Sequence, residues 1–530
     1  MADRFNAAEY LTATRVDAGD GDRVAVHHPG GSLTYVELTD EVRRVAGALH
    51  TLGVRPEQRV LLVMPDDLEL FTAILAAMWI GAVAVPSSTM LTGGELSVLV
   101  RDSRATVVIG GEQFADALAA AVADAPDVTR LVVTGDTPIP AGLAPGARSM
   151  TWDEMLAGSD GPVDSAYATW DESQALWLYT SGTTGKPKGA MHRHADIRSV
   201  AETYGRQVLG IERDDVCLSV AKLFFAYGIG NSMFFPLAVG ASTVLEPSRP
   251  NPDLYSRLAE QHRATLFFAV PSFWGPMLAA ELPPERFATV RRGASAGEAL
   301  PARMFHGVRD RYGFEVLDGI GSTEALHIFI SNRPGEVVPG SSGFPVPGYE
   351  VQLRRTDGSV ITGADESGML YISGDSICTG YWCRTDVNRM VFHGEWMRTG
   401  DQYVRGEDGS YTCLGRADDV LKVGGIWVSP SEVEIRLLEH PSLAEAVVVG
   451  LPDDDGLDKP VAFVVARDGV AAPEADELIA FCRDGLAAFK RPRAVVAVDE
   501  LPKTATGKIQ RFRLREQARA LTLGTPAAAG

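Results

Sequence analysis

The sequence predicts an α/β protein: a large N-terminal part built from layered α/β sheets with a small β-barrel-like region, followed by a smaller α+β part. Three observations predict this. Short apolar runs alternate with helical patterns through residues 31–270, the rhythm of parallel strands covered by helices. Between 349 and 415 the runs shorten and turn pairs such as Asp357-Gly358 and Asp408-Gly409 separate them, which reads as hairpins. A third pattern follows, in which strands flank one helix and the chain ends basic. Taken in order, 35–49 is a helix, 59–64 a buried strand, 68–80 a helix and 83–86 a strand. Further strands are expected at 105–110, 131–134, 175–179, 216–220, 242–245 and 265–270. The last part carries strands at 447–450, 461–466 and 495–498 and a helix at 476–485.

A chain of 530 residues exceeds one ordinary domain, so two or three folding units are expected. Apolar residues make up 45% and charged residues 22%, enough for a sizeable core and no signature of disorder. The net charge of −20 excludes a general nucleic-acid binder, because phosphate backbones require clustered Lys and Arg. Between Lys490 and Arg519, however, nine Lys or Arg face three Asp or Glu, which suits an anionic ligand or a solvated helix face. Five cysteines without a CxxC pair argue against a disulfide framework or a zinc site and point to a reducing cytoplasm. The first residues lack a signal-peptide layout. The uncharged stretch 71–94 is too short and too broken by Gly81 and Pro86 to span a bilayer, and reads as a buried helix and strand.

The sharpest chemical feature is Tyr179-Thr180-Ser181-Gly182-Thr183-Thr184-Gly185-Lys186-Pro187-Lys188-Gly189, directly after a strand. Glycines let backbone N–H groups approach an anion, hydroxyls donate to phosphate oxygens and lysines offset charge. It is not a Walker A loop, since Pro187 stands where Ser or Thr should follow the lysine. The string resembles the phosphate-binding signature of adenylate-forming enzymes, the superfamily of acyl-CoA synthetases, adenylation domains and luciferases. Four further strings follow in the family's order. Gly321-Ser322-Thr323-Glu324 is similar to G-x-T-E, Trp396-Met397-Arg398-Thr399-Gly400-Asp401 to aromatic-x-R-T-G-D, and Gly415-Arg416-Ala417-Asp418-Asp419 to G-R-x-D-D. Pro502-Lys503-Thr504-Ala505-Thr506-Gly507-Lys508 is similar to P-K-T-x-x-G-K.

The resemblance implies ATP, Mg²⁺ and CoA, and two half-reactions. Attack of a carboxylate on the α-phosphate brings two anions together, and positive charge must offset that. By resemblance, Thr180, Ser181, Gly182, Thr183, Thr184 and Lys188 hold the leaving pyrophosphate, Glu324 helps hold Mg²⁺, Thr323 lies near the α-phosphate, and Ser322 is a further nucleotide-binding residue. Asp401 and Arg416 are expected at the ribose, and Gly297, Glu298, Ala299, Asp318, Gly319 and Ile320 along the adenine. Lys508 bridges carboxylate and α-phosphate, so the catalytic set is Lys508, Thr323 and Glu324. The family organisation implies domains at 1–417 and 418–530, the second mobile about a hinge at Asp418 and presenting Gly425 to the pantetheine tunnel for thioester formation. The basic C-terminal segment would help receive the nucleotide end of CoA.

The segment 222–230 lies where the family's acid pocket begins and contains no acidic residue to pair with an ammonium, which argues against amino-acid substrates. Its aromatics favour a flat apolar acid, and Ala226 and Gly321 leave room for one. The stretch 317–329, with 223–228, 295–300 and 502–511, resembles the benzoate-CoA ligase group, which shares Ile320 where most of the superfamily has an aromatic residue. By that resemblance Ala226, Tyr227, Gly321, His327 and Ile328 line the aryl site, and His327 donates to the carboxylate or to a ring hydroxyl. The sequence thus points to an ATP-dependent aryl-CoA ligase for benzoate or a hydroxybenzoate such as salicylate, a monomer or homodimer without nucleic-acid or membrane partners. One alternative is an aryl-AMP ligase that loads a carrier protein. Another is a non-catalytic nucleotide binder, which the presence of Lys508, Glu324 and Asp401 opposes.

Overall fold

The computed structural model describes residues 3–135, 143–181, 187–416, 421–423, 426–452, 458–486, 488–503 and 509–523. The chain divides into two compact units, Met1–Val351 with Ile372–Met397, and Gln352–Tyr371 with Arg398–Gly530.

The first unit contains two large sheets. One has seven strands in the order Arg148–Thr151, Arg130–Val133, Val107–Gly110, Arg59–Val63, Val83–Pro86, Gln174–Ser181 and Pro187–Arg193, all parallel except the last pair. The run 61–63 is fully buried, as expected of a strand covered on both faces. The helix Tyr35–Thr51 starts at a capping box between Thr34 and Glu37, which satisfies two orphan donors of its first turn. Its apolar positions Leu38, Val42, Val45 and Leu49 recur at helical spacing and are fully buried. The helix Leu68–Trp79 is apolar nearly all round and correspondingly buried. Among the described residues no helix is long and apolar enough to cross a membrane.

The second sheet has nine strands, with Val316–Gly321, Arg292–Ser295, Leu266–Ala269, Val216–Ser219, Ser242–Val244 and Val24–His28 running parallel through its middle. Parallel strands end at a common edge, so the loops after residues 219, 269, 295 and 321 converge there. Ile328–Ser331 turns back antiparallel beside Val316–Gly321, and Phe344–Pro345 pairs outside it. An aromatic core of Phe267, Phe273, Trp274, Phe287, Tyr312 and Phe314 packs against the strand Leu266–Ala269.

In the second unit the Asp357-Gly358 and Asp408-Gly409 pairs do form hairpins, with Leu353 opposite Ile361 and Arg405 opposite Tyr411. They belong to a six-stranded sheet. Further along, Leu443–Pro452 and Asp458–Ala466 pair antiparallel, and Ala494–Ala497 adds in parallel. Side chains alternate across this sheet. Ala446, Val448, Ala462 and Val464 pack under Val433, Leu437 and Leu478, whereas Val447, Val449 and Phe463 pack under Leu501 and Leu514. A continuous valine run is therefore buried on both faces.

Candidate active site

The phosphate-loop string begins on the strand Gln174–Ser181 and ends on Pro187–Arg193, and these two strands pair antiparallel as a hairpin. Thr180 faces Lys188 across that hairpin. Gly182, Thr183 and Thr184 lie outside the described residues, as do Asp418, Gly425 and Lys508. The hairpin is tied down by residues remote in sequence. The Tyr179 hydroxyl donates to Asp102 Oδ2 at 2.8 Å, and Arg384 donates to Asp102 Oδ1 at 2.7 Å and to the Pro187 carbonyl at 3.3 Å. Trp382 donates to the Asp102 carbonyl at 3.0 Å and packs on Trp177 with ring centroids 5.0 Å apart.

The Gly321-Ser322-Thr323-Glu324 string forms the turn between Val316–Gly321 and Ile328–Ser331. Ser322 Oγ accepts from the Ala325 amide at 3.1 Å, and the Leu326 amide donates to the Thr323 carbonyl at 3.2 Å. Two residues bind this turn to the hairpin strand. Fully buried His192 hydrogen-bonds the Thr323 carbonyl through Nε2 at 2.8 Å and the Asp196 carboxylate through Nδ1 at 3.0 Å. Tyr381 donates to Glu324 Oε1 at 2.6 Å, and Lys188 Nζ lies 4.6 Å from the centre of the Tyr381 ring. Lys188, Thr323 and Glu324 are thus brought together through His192 and Tyr381, neither of which the motifs single out. The Tyr381 bond engages one oxygen of the half-buried Glu324 carboxylate. Magnesium is commonly held by one or two carboxylates plus substrate phosphates, so a lone glutamate beside the phosphate hairpin fits that ion. Among the described residues no group of three or more His, Cys, Asp or Glu forms a cage for a metal.

Ala226 and Tyr227 open a short helix after the strand Val216–Ser219. The Tyr227 hydroxyl donates to the carbonyls of Ala294 at 2.9 Å and Ala269 at 3.3 Å, at the ends of two central strands. His327 is 2% exposed and packs among Tyr204, Tyr227 and Phe235, with ring centroids 5.0, 5.4 and 4.6 Å away. Burial pushes its pKa down to about 3, so the imidazole is neutral. Its Nε2 lies 3.3 Å from the Tyr227 carbonyl, and its buried Nδ1 has no protein partner. Ile328 is fully buried beside Gly321 in the strand register. Gly321 has a reason beyond pocket space: a Cβ there would lie 2.6 Å from the His327 carbonyl oxygen.

Gly297, Glu298 and Ala299 form the exposed loop after Arg292–Ser295. Asp318 lies buried beside it, with Oδ2 accepting from the Leu300 amide at 3.2 Å and Oδ1 without a partner. Burial raises its pKa well above the carboxylate range. Gly319 and Ile320 continue the same strand. In the second unit Asp401 and Arg416 face each other in register, and Arg416 donates to Asp401 Oδ1 at 3.0 Å and to the Thr399 carbonyl at 3.1 Å. Part of the basic C-terminal charge is spent locally: Lys490 pairs with Glu432, Lys503 with Glu445 and Arg511 with Glu434, each at 2.6 Å.

The chain as a whole resembles known proteins along nearly its full length. Residues 13–382 match the family model of the AMP-binding enzymes, and residues 432–508 that of the AMP-binding enzyme C-terminal domain. The chain is 43% identical over 519 residues to a benzoate–CoA ligase of Thauera aromatica, covering 97% of this chain and 96% of that one. It is 42% identical over 528 residues to a 4-hydroxybenzoate–CoA/benzoate–CoA ligase of Rhodopseudomonas palustris, covering 98% and 95%. A crystal structure of an anthranilate CoA ligase in complex with anthranoyl-AMP superposes with a TM-score of 0.90 at 35% identity, covering 99% of each chain. Likeness of this extent, carried through both family models, makes the chain a member of the AMP-binding enzyme family of adenylate-forming ligases.

Proposed function

We propose that the protein is an ATP-dependent aryl-CoA ligase. An aromatic carboxylate and ATP give an aryl-AMP and pyrophosphate, and the aryl-AMP and CoA then give an aryl-CoA and AMP. The observation that carries the reading is the cage of Tyr204, Tyr227, Phe235 and neutral His327, set beside the turn that bears Thr323 and Glu324. These rings pack around His327 as an apolar wall that suits a flat ring better than an ammonium, since the carboxyl beside Tyr204 and Tyr227, Asp318, is pushed towards its neutral form by burial. The benzoate–CoA and hydroxybenzoate–CoA ligases among the relatives support benzoate or a hydroxybenzoate as the acid.

Within this reading Ala226, Tyr227, Gly321, His327 and Ile328 line the ring. Thr180, Ser181, Gly182, Thr183, Thr184 and Lys188 hold the phosphates that leave. Glu324 would hold Mg²⁺, which when bound supplies charge neutralisation at the phosphates. Asp401 accepts from the ribose hydroxyls with Arg416 alongside, and 297–299 with Asp318, Gly319, Ile320 and Ser322 follow the adenosine. Lys508 carries the adenylation step. Residues 418–530 then turn about Asp418 and bring Gly425 to the thiol. Five cysteines without a disulfide fit a reducing cytoplasm.

An assay of purified protein with ATP and CoA, offered benzoate, salicylate, 4-hydroxybenzoate or acetate, tests the substrate class. An aryl-CoA product with preference for a benzoate is expected, and preference for acetate or a long-chain acid overturns it. Mass spectrometry with CoA against a phosphopantetheinyl carrier protein separates a CoA ligase from a carrier-loading enzyme.

A further inference from the structure

We propose that Asp66 is a positioning residue for the acid-binding turn, acting through the Leu223 amide and the Lys222 ammonium, and that it thereby sets KM for the aromatic acid. The inference rests on the reading of Ala226 and Tyr227 as the start of the aryl site. Asp66 follows the strand Arg59–Val63 of the seven-stranded sheet, whereas the turn belongs to the nine-stranded one. The residue is 5% exposed, and both its carboxylate oxygens accept from the Leu223 amide, at 3.0 and 3.2 Å.

From Leu223 to Gly228 the turn closes on its own backbone. The Phe225 amide donates to the Lys222 carbonyl at 3.0 Å. Gly228 packs so closely on that carbonyl that a Cβ would stand 2.0 Å from its oxygen. A shift of the Leu223 amide therefore carries the Lys222 carbonyl, and with it the residues that aim Tyr227 at Ala269 and Ala294. Lys222 Nζ donates to the carbonyls of Glu246 and Ser248, which holds its ammonium where it opposes the Asp66 and Glu246 charges. The other titratable groups facing Asp66 are Asp67, its neighbour in the chain, and Tyr255 from the helix Pro252–Gln261. Asp67 in turn meets His28 at 3.4 Å.

The geometry has a pH signature. Burial pushes the Asp66 pKa up to about 7 against the pull of Lys222, so its charge changes where enzymes are assayed. The carboxylate is the stronger acceptor, so KM for the acid rises as pH falls, while the aromatic substrate itself stays ionised.

The test is steady-state kinetics of the full chain with benzoate or whichever aromatic acid it turns over. Asp66→Ala leaves the Leu223 donor buried without its partner and is expected to raise KM for the acid about tenfold with KM for ATP unchanged. Asp66→Asn keeps an acceptor oxygen, so it should restore KM to within about threefold and abolish the pH dependence of that KM between about pH 6 and pH 8. Equal rises in both KM values, an unchanged KM in Asp66→Ala, or a wild-type pH slope in Asp66→Asn overturns the proposal. If Asp66→Ala does not fold, the near-isosteric Asp66→Asn decides through its pH slope alone. Failure of the wild-type protein to turn over any aromatic acid defeats the functional reading instead.

Discussion

A methyl group at position 321 would meet the protein's own backbone, since its carbon would lie 2.6 Å from the His327 oxygen and 2.8 Å from the His327 carbonyl carbon. Gly321→Ala must therefore spread the turn that carries Ser322, Thr323 and Glu324. A loss of about 1–3 kcal/mol of stability is expected, with kcat falling and no gain in acetate turnover. A fully stable variant that has merely traded aryl acids for acetate would show that pocket volume alone explains the glycine. Tyr381 makes a separate residue-scale prediction. Tyr381→Phe keeps the ring against Lys188 and removes the 2.6 Å bond to Glu324. It should lower kcat about tenfold, leave KM for the acid unchanged and raise the magnesium concentration at half-maximal rate. An unchanged magnesium dependence would mean that Tyr381 does not orient Glu324.

At the scale of the element, the phosphate hairpin depends on its clamp. Asp102 receives Tyr179, Arg384 and Trp382 together, and only Tyr179 belongs to the hairpin. Arg384→Ala removes the bonds to Asp102 and Pro187, so KM for ATP should rise several-fold while KM for the acid holds. Equal increases in the two would mean the clamp is general scaffolding. The hairpin also marks what was legible in the sequence. The strand into the loop was plain from Leu176-Trp177-Leu178, and the loop from its glycines, hydroxyls and lysines. The returning strand Pro187–Arg193 was hidden, because Pro, Lys and Gly are poor strand formers and backbone pairing decides its fate. The α/β rhythm was readable because parallel strands buried on both faces are continuous apolar runs, such as 61–63 and 107–109. Asp66, Asp102, His192 and Tyr381 were not readable as site residues. Their partners lie 157, 77, 131 and 57 positions away in the chain, and nothing local distinguishes a buried carboxylate from a solvated one.

At the scale of the whole molecule, the first unit holds buried groups whose contributions to stability run in opposite directions with pH. His194 and His327 are held neutral, with pKa values pushed by burial to about 3. The unfolded chain takes up their protons below about pH 6.5, so this contribution is lost as pH falls. Asp66 and Asp318 are the reverse case, with pKa values raised by burial, Asp66 to about 7. The folded chain keeps protons that the unfolded chain releases above about pH 4, so this contribution is lost as pH rises. Asp66→Asn removes one such proton. Wild type and variant should therefore be equally stable near about pH 4 and diverge as pH rises to about 7, the asparagine form ahead, by up to about 1.4 kcal/mol per pH unit. Lys222 retains the Glu246 and Ser248 carbonyls in the variant, so its ammonium keeps its place. The second unit has its own core around Val448 and Val464, so hydrogen exchange can follow the two separately. The amide of Leu61 should gain protection in the variant above about pH 6 and that of Val464 should not. A stability difference between the two proteins that is flat from about pH 4 to pH 8 would show that Asp66 is ionised in the folded state throughout, with Lys222 compensating its burial in full.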